Sequence, residues 1–173
     1  MSLLKKYLKN KKNIKYLSWF LVFVWMAVIF WFSAQPATSS KNLSMGVTEV
    51  ILKILSSFFN IAMDTGTGNV FIGFLHHILR KIAHCTIYMV LALLVMNAFR
   101  RSEVNGMRLY LFSFLFCALY ACTDEIHQLF VPGRGAQISD VLIDCIGAFI
   151  GIILYVLLKW GAVLFKKMRY KNF

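Results

Sequence analysis

L-Y-L-F-S-F-L-F-C-A-L-Y-A-C-T, from Leu109 to Thr123, carries no charge and runs directly into Asp124-Glu125-Ile126-His127-Gln128. An apolar helix of that length nearly crosses a bilayer, whose hydrocarbon core of about 30 Å takes roughly 20 helical residues. Two acids, an imidazole and an amide therefore fall at the membrane's edge. Charge there is expensive and needs a partner, a watery cavity or a task. The chain has seven acidic residues, and four of them (Asp124, Glu125, Asp140, Asp144) lie in this neighbourhood; the others are Glu49, Asp64 and Glu103.

Working outward, 60% of the 173 residues are hydrophobic and the mean hydropathy is +0.69. That is too apolar for a soluble domain of this size. The length fits four or five spans and one membrane domain over 1–173. A net charge of +12 could suggest nucleic acid, but the distribution argues against it. Lys5, Lys6, Lys9, Lys11, Lys12 and Lys15 precede the first apolar run. Arg100, Arg101 and Arg108 share one loop, and Lys159, Lys166, Lys167, Arg169 and Lys171 form the tail. These alternate with the spans as the positive-inside rule requires. The excess is topogenic, with anionic lipid as a second contact, and no nucleic-acid partner is expected. Both termini, 1–16 and 159–173, are expected to be cytoplasmic.

The first apolar run ends in Ser33-Ala34-Gln35-Pro36, a weak cleavage site, so a retained span is expected rather than a signal peptide. Cys85, Cys117, Cys122 and Cys145 fall in apolar runs without C-x-x-C spacing and read as small packing residues.

The spans are expected at about 17–32, 78–99, 109–127 and 140–158, giving an all-α membrane protein built as a four-helix bundle. Between spans one and two, Val47, Val50, Ile51, Ile54, Leu55, Phe58, Phe59 and Ala62 recur at helical period with polar residues in the gaps. Residues 46–62 are thus expected to form an amphipathic interfacial helix, with a lid as the alternative. D-T-G-T-G-N (Asp64 to Asn69) reads as a turn. Ser139 can cap the fourth helix, and Asp140 suits its first turn.

The alternation of spans gathers the polar exceptions on one side. Span one brings Gln35. Span two brings Arg80, His84 and Tyr88 at i, i+4, i+8, hence on one face, with Lys81 adjacent. Span three brings Tyr120, Asp124 and Gln128 at the same spacing, with His127 and Glu125 beside them. Span four brings Asp140, Asp144, Gly147 and Gly151 in one stripe, and Gly147-Ala148-Phe149-Ile150-Gly151 is a G-x-x-x-G that permits close helix contact.

Several readings of this cluster compete. In one, Arg80 and Lys81 pair with Asp124, Asp140 and Asp144 as a scaffold. In another the cluster is a site: Asp124, Glu125 and His84 are the catalytic candidates, since imidazole titrates near neutral pH. Gln35, Arg80, Lys81, Tyr88, His127, Gln128, Arg134, Asp140 and Asp144 are the ligand-binding candidates, the cations suiting phosphate or carboxylate. His84, His127, Asp124 and Asp140 have metal-ligand chemistry but lack the H-E-x-x-H spacing, so neither metal nor cofactor is expected. Ser33 and Ser139 lack the G-x-S-x-G elbow of a nucleophile. His76 and His77 read as interfacial.

F-W-F-S-A-Q-P (Phe30 to Pro36), R-K-I-A-H-C-T-I-Y (Arg80 to Tyr88), Y-A-C-T-D-E-I-H-Q-L-F-V-P-G-R (Tyr120 to Arg134) and D-V-L-I-D-C-I-G-A-F-I-G (Asp140 to Gly151) together resemble the VanZ-like family of bacterial membrane proteins. The resemblance covers about Trp19 to Leu158. The family is named for a protein that accompanies glycopeptide-resistance genes and confers resistance to teicoplanin, a lipoglycopeptide. The resemblance implies a multi-pass protein of the bacterial plasma membrane with an envelope role, and no particular reaction. Its partners are then the lipid bilayer and a lipid-linked cell-wall precursor or lipoglycopeptide. Two functions from different classes follow. One is an outward-facing polar pocket that binds, and can modify, such a molecule; the other is a non-enzymatic scaffold or partner protein with a structural polar cluster.

Overall fold

Lipid offers the backbone no hydrogen-bond partners, so apolar segments of this length must satisfy their own amides as helices. The computed structural model describes residues 2–36, 46 and 65–171. Among them lie four helices: α1 (Ser2–Ser33), α2 (Thr65–Arg101), α3 (Met107–Gln128) and α4 (Ile138–Lys171). Each contains a stretch long and apolar enough to cross a membrane.

The helices run up, down, up and down. Near one end, Trp19 Nε1 of α1 donates to Ser102 Oγ just past α2 (3.0 Å), and Lys11 pairs with Glu103 at 2.7 Å. Further along, Trp25 Nε1 donates to the Ile87 carbonyl (2.9 Å), so α1 and α2 are antiparallel. Tyr120 Oη of α3 donates to the Met26 carbonyl (2.6 Å), and His127 stacks on Phe30 with centroids 4.2 Å apart. Helices α1 and α3 therefore run parallel.

Helix α3 shows how one face is buried. Leu109, Ser113, Cys117, Ala121, Asp124 and Gln128 recur every three or four residues and are buried, whereas Leu111, Leu115 and Leu119 are exposed. In a bilayer the outward leucines are solvated by acyl chains. Val22 and Ile29 of α1, Tyr88, Leu91, Ala92, Val95 and Met96 of α2, and Ala148 and Ile152 of α4 complete the core with α3's stripe.

Helices α2 and α4 make the most extensive contact, and two glycines explain it. A Cβ on Gly147 would run into the Cys85 carbonyl, and one on Gly151 into the Met89 carbonyl and the Ala92 side chain. Without side chains there, the backbones touch. Because 85 faces 147 and 89 faces 151, the two helices are parallel and in register.

Helix α2 ends in a Schellman-type turn. Val104 N–H donates to the Phe99 carbonyl and Glu103 N–H to the Arg100 carbonyl, both at 3.1 Å. Glu103 takes the left-handed position (φ 68) that glycine usually fills. Its side chain is held by Lys11, which also keeps its carboxyl below the usual carboxylate range.

Two sequence expectations about the helices are corrected. Residues 65–69 continue helix α2 instead of forming a turn; glycine lowers helix propensity by about 1 kcal/mol but, unlike proline, keeps its amide, so the ladder can run through. Ser139 does not cap α4. The helix begins one residue earlier, at Ile138, and the Ser139 hydroxyl reaches Gln137 Oε1 (3.4 Å) and Asp140 Oδ1 (3.3 Å). The basic ends are helical too: α1 starts at Ser2, and α4 continues to Lys171. The interfacial helix expected over 46–62 lies outside the described residues apart from Gly46, which is helical and exposed.

Candidate functional site

The register of α2 on α4 builds the site in rungs. Successive turns of each helix are about 5.4 Å apart, so residues four apart descend together. At the first rung, Arg80 Nη2 lies 3.9 Å from Asp140 Oδ2, with the arginine side chain 40% exposed. At the second, His84 Nδ1 lies 3.5 Å from Asp144 Oδ1, and Asp144 is completely buried. One turn below, Tyr88 is fully buried within the electrostatic reach of Asp144 and of Asp124 on α3. The glycine contacts begin beside this rung. The polar ladder and the close packing are thus two parts of one helix interface.

Helix α3 adds its own buried polar residues near this ladder. Asp124, Glu125 and Gln128 are all buried. Gln128 Nε2 donates to Ser33 Oγ at the end of α1 (3.1 Å) and reaches Asp124 Oδ2 at 3.5 Å. Glu125 Oε2 accepts the backbone N–H of Gln137 (2.8 Å), which ties the end of α3 to the residue before α4. Arg134, in the intervening loop, is half-buried. Burial and the neighbouring Arg80 push its guanidinium below the usual arginine value, against the opposing pull of Asp124, Glu125 and Asp140. The α3–α4 loop turns at Gly133, whose φ of 74 needs no Cβ.

A cleft of about 80 Å³ opens between α2 and the start of α4, lined by His77, Arg80, Lys81, His84, Gln137, Asp140 and Ile143. At about 30 Å³ per water, it holds two or three waters or one small charged group. Beneath it, Tyr88 Oη, Asp124 Oδ1, both Asp144 carboxylate oxygens and Gln128 Oε1 have no hydrogen-bond partner within the protein. Buried polar atoms of this kind are usually met by ordered water or ligand.

The structure sorts the expected residues. Arg80, Lys81, His84 and Asp140 line the cleft, and Asp144 and Tyr88 lie below it on the same interface. Asp124, Glu125 and Gln128 are buried on α3, with His127 stacked on Phe30. Gln35 is turned back onto the Trp31 carbonyl (3.5 Å) and does not line the cleft. The expected ion pair between Asp124 and Arg80 or Lys81 does not form. Arg80 pairs with Asp140, because α2 packs most closely on α4, and α4 brings its own carboxylate to the same depth. Sequence reasoning missed Gln137 and gave His77 to the interface. A backbone amide leaves no trace in side-chain pattern, but His77 lies one helical turn before Arg80 and Lys81 and was open to reading. Among the described residues, no three His, Cys, Asp or Glu side chains converge to hold a metal ion.

This constellation, with the motifs on four helices that build it, coincides with one family. A family model described as VanZ/LLP1 matches residues 18–159. The chain belongs to the VanZ/LLP1 family. The match runs from the α1 residues facing α2 to Lys159, so it takes in every rung of the site. No curated protein and no solved structure matches the chain.

Proposed function

We propose that this VanZ/LLP1 protein is a multi-pass protein of the bacterial plasma membrane with both termini cytoplasmic. Its cleft opens to the outer face and binds, and can modify, a lipid-linked or lipoglycopeptide-type molecule of the cell envelope. The carrying observation is the cleft's two-sided chemistry. Arg80 and Lys81 offer cations at its rim, while Asp140, Asp144 and the buried acids of α3 stand behind it. The rim suits a phosphate or carboxylate. The small volume suits a headgroup, with the rest of an amphiphile along the apolar helix faces. His84, exposed to the cleft and backed by Asp144, is the group suited to carry a proton, with Asp124 and Glu125 as further proton-handling candidates. The family's association with teicoplanin resistance agrees with a lipoglycopeptide ligand.

The scaffold reading has its own support. Gln128 links α1 to α3, and Glu125 links α3 to the start of α4, so part of the polar cluster joins helices. The two readings separate in one experiment. Purified protein is titrated with teicoplanin and with a lipid-linked cell-wall precursor, alongside thermal unfolding in detergent. Lys81→Gln, which breaks no ion pair among the described residues, is expected to weaken saturable binding about tenfold, the scale of one charge-assisted contact, with unfolding unchanged. Absence of saturable binding to either ligand would leave the scaffold reading standing.

A further inference from the structure

Arg80 and Asp140 meet only loosely at the cleft. Their nearest atoms are 3.9 Å apart, too far for a hydrogen bond and about 1 Å beyond a tight ion pair. Both side chains line the cleft, as does Lys81. The arginine side chain is 40% exposed and the aspartate 12%, so the cation lies at the rim and the carboxylate further in.

The surroundings repeat that order. Lys81 adds a second cation at the rim. One helical turn beyond Asp140 the next carboxylate, Asp144, is completely buried, and Asp124 and Glu125 are buried on α3. The hydrogen-bond inventory leans the same way. Both oxygens of Asp144, Oδ1 of Asp124 and Oε1 of Gln128 are buried acceptors without a donor in the protein. Water can supply donors there, but it brings no charge to offset the acids. A ligand with negative charge alone would bind Arg80 and Lys81 against the repulsion of Asp140 close behind them. A ligand with positive charge alone would meet the two rim cations first. A ligand carrying both signs suits both layers.

We propose that the cleft selects a zwitterionic head group, the phosphate ester of an amino alcohol. Its primary ammonium enters to Asp140, and its phosphate stays at the rim on Arg80 and Lys81. This rests on the cleft being a site for an envelope amphiphile, and it names the head group. The ligand's own ion pair inserts into the protein's loose one, so that Arg80 and Asp140 each gain a hydrogen-bonded counter-ion. Two neighbouring cations suit the several oxygens of a phosphate. The cleft, about 80 Å³, has room for one small charged group. An ammonium is small and has three N–H donors, whereas a trimethylammonium is bulkier and has none. Asp140 is thus the residue that sets specificity.

Calorimetric titration of the purified full-length protein tests this with three lipids of identical short chains. Phosphatidylethanolamine is expected to bind about tenfold more tightly than phosphatidylglycerol, which lacks the cation, or phosphatidylcholine, which lacks the N–H; tenfold is the scale of one charge-assisted contact. Asp140→Asn should weaken phosphatidylethanolamine about tenfold and strengthen phosphatidylglycerol, reversing their order. A merely structural loss would weaken all three lipids together. Should Asp140→Asn fail to fold, the wild-type order of the three lipids decides alone. Soluble phosphoethanolamine binding as tightly as the lipid keeps the zwitterion and makes its source a free molecule. Phosphatidylglycerol or phosphatidylcholine binding as well as phosphatidylethanolamine, with all three weakened by Lys81→Gln, keeps the cleft as a site and overturns the zwitterion. A preference for phosphatidylethanolamine that survives Asp140→Asn also overturns the proposal. No saturable binding of any of these probes would end both this proposal and the cleft's role as a head-group site.

Discussion

His84 Nδ1 faces Asp144 Oδ1 at 3.5 Å, and Asp144 has no exposed surface. No hydrogen bond joins them at that distance, but a carboxylate behind one ring nitrogen leaves the other nitrogen for the cleft, the placement from which acid–histidine pairs serve proton transfer. The contact also decides which substitution is informative. His84→Ala removes the group facing a buried carboxylate and is expected to destabilise by about 1–3 kcal/mol. His84→Gln retains a donor toward Asp144 but cannot carry a proton near neutral pH. It is expected to unfold like wild type in detergent and, if the proposed function holds, to lose whatever teicoplanin resistance the wild type confers on a Gram-positive host. Wild-type resistance in His84→Gln would remove His84 from any chemistry.

Gly147 and Gly151 set the separation of α2 and α4, and thereby the depth at which the rungs meet. Gly147→Ala places a methyl against the Cys85 carbonyl, which is backbone and cannot turn aside. Overpacking at such a contact costs about 1–3 kcal/mol, and leucine should cost more and reduce accumulation in the membrane. Gly161 has open space where its Cβ would go, so Gly161→Ala is the control and should have little effect. Thermal unfolding of the three purified variants checks the ranking.

The helices were legible because lipid leaves a single signal, apolar length bounded by charge, and the spans from Leu17 to Leu158 carry it. The faces were legible too. Arg80, His84 and Tyr88 share a stripe by spacing alone, and G-x-x-x-G announced the close contact at Gly147 and Gly151. What spacing could not supply is which helix each stripe meets. Arg80 has the same helical phase whether it faces Asp124 or Asp140, and only the glycine contact, which draws α4 rather than α3 onto α2, settles it. Nor could spacing show that Gln35 folds back on Trp31, or that the Gln137 amide meets Glu125. Both are backbone matters at helix ends, where side-chain periodicity stops.

Topology can be measured directly. Both chain ends and the 102–106 turn lie at one end of the bundle, as the Lys11–Glu103 pair and the proximity of Lys159 to Arg100 require. The basic residues there are expected to keep that end cytoplasmic. Ser102 is a poor labelling site because it accepts Trp19 and donates to the Ala98 carbonyl. Asn105 is exposed. In a cysteine-free background, Asn105→Cys is expected to resist a membrane-impermeant thiol reagent in intact cells and to react after lysis, whereas Gly135→Cys should react in intact cells. The reverse pattern would put the cleft in the cytoplasm and end the envelope-ligand reading.

Glu125 offers the sharpest separation of site from scaffold, because its structural duty is known. One carboxylate oxygen accepts the Gln137 amide at 2.8 Å, while the other, Oε1, is buried without a partner in the protein. Glutamine can still accept that amide through its own carbonyl, so Glu125→Gln preserves the tie between α3 and α4. It removes only the ability to hold a negative charge or a transferable proton. Glu125→Ala removes both, leaves the Gln137 amide unmet, and is expected to lower stability by about 1–3 kcal/mol. If Glu125 is part of a site, Glu125→Gln keeps wild-type unfolding and loses the phenotype, and Glu125→Ala loses both. If it is a strut, Glu125→Gln keeps both and Glu125→Ala loses both together. The two readings thus part on one variant, measured once for thermal unfolding and once for teicoplanin sensitivity.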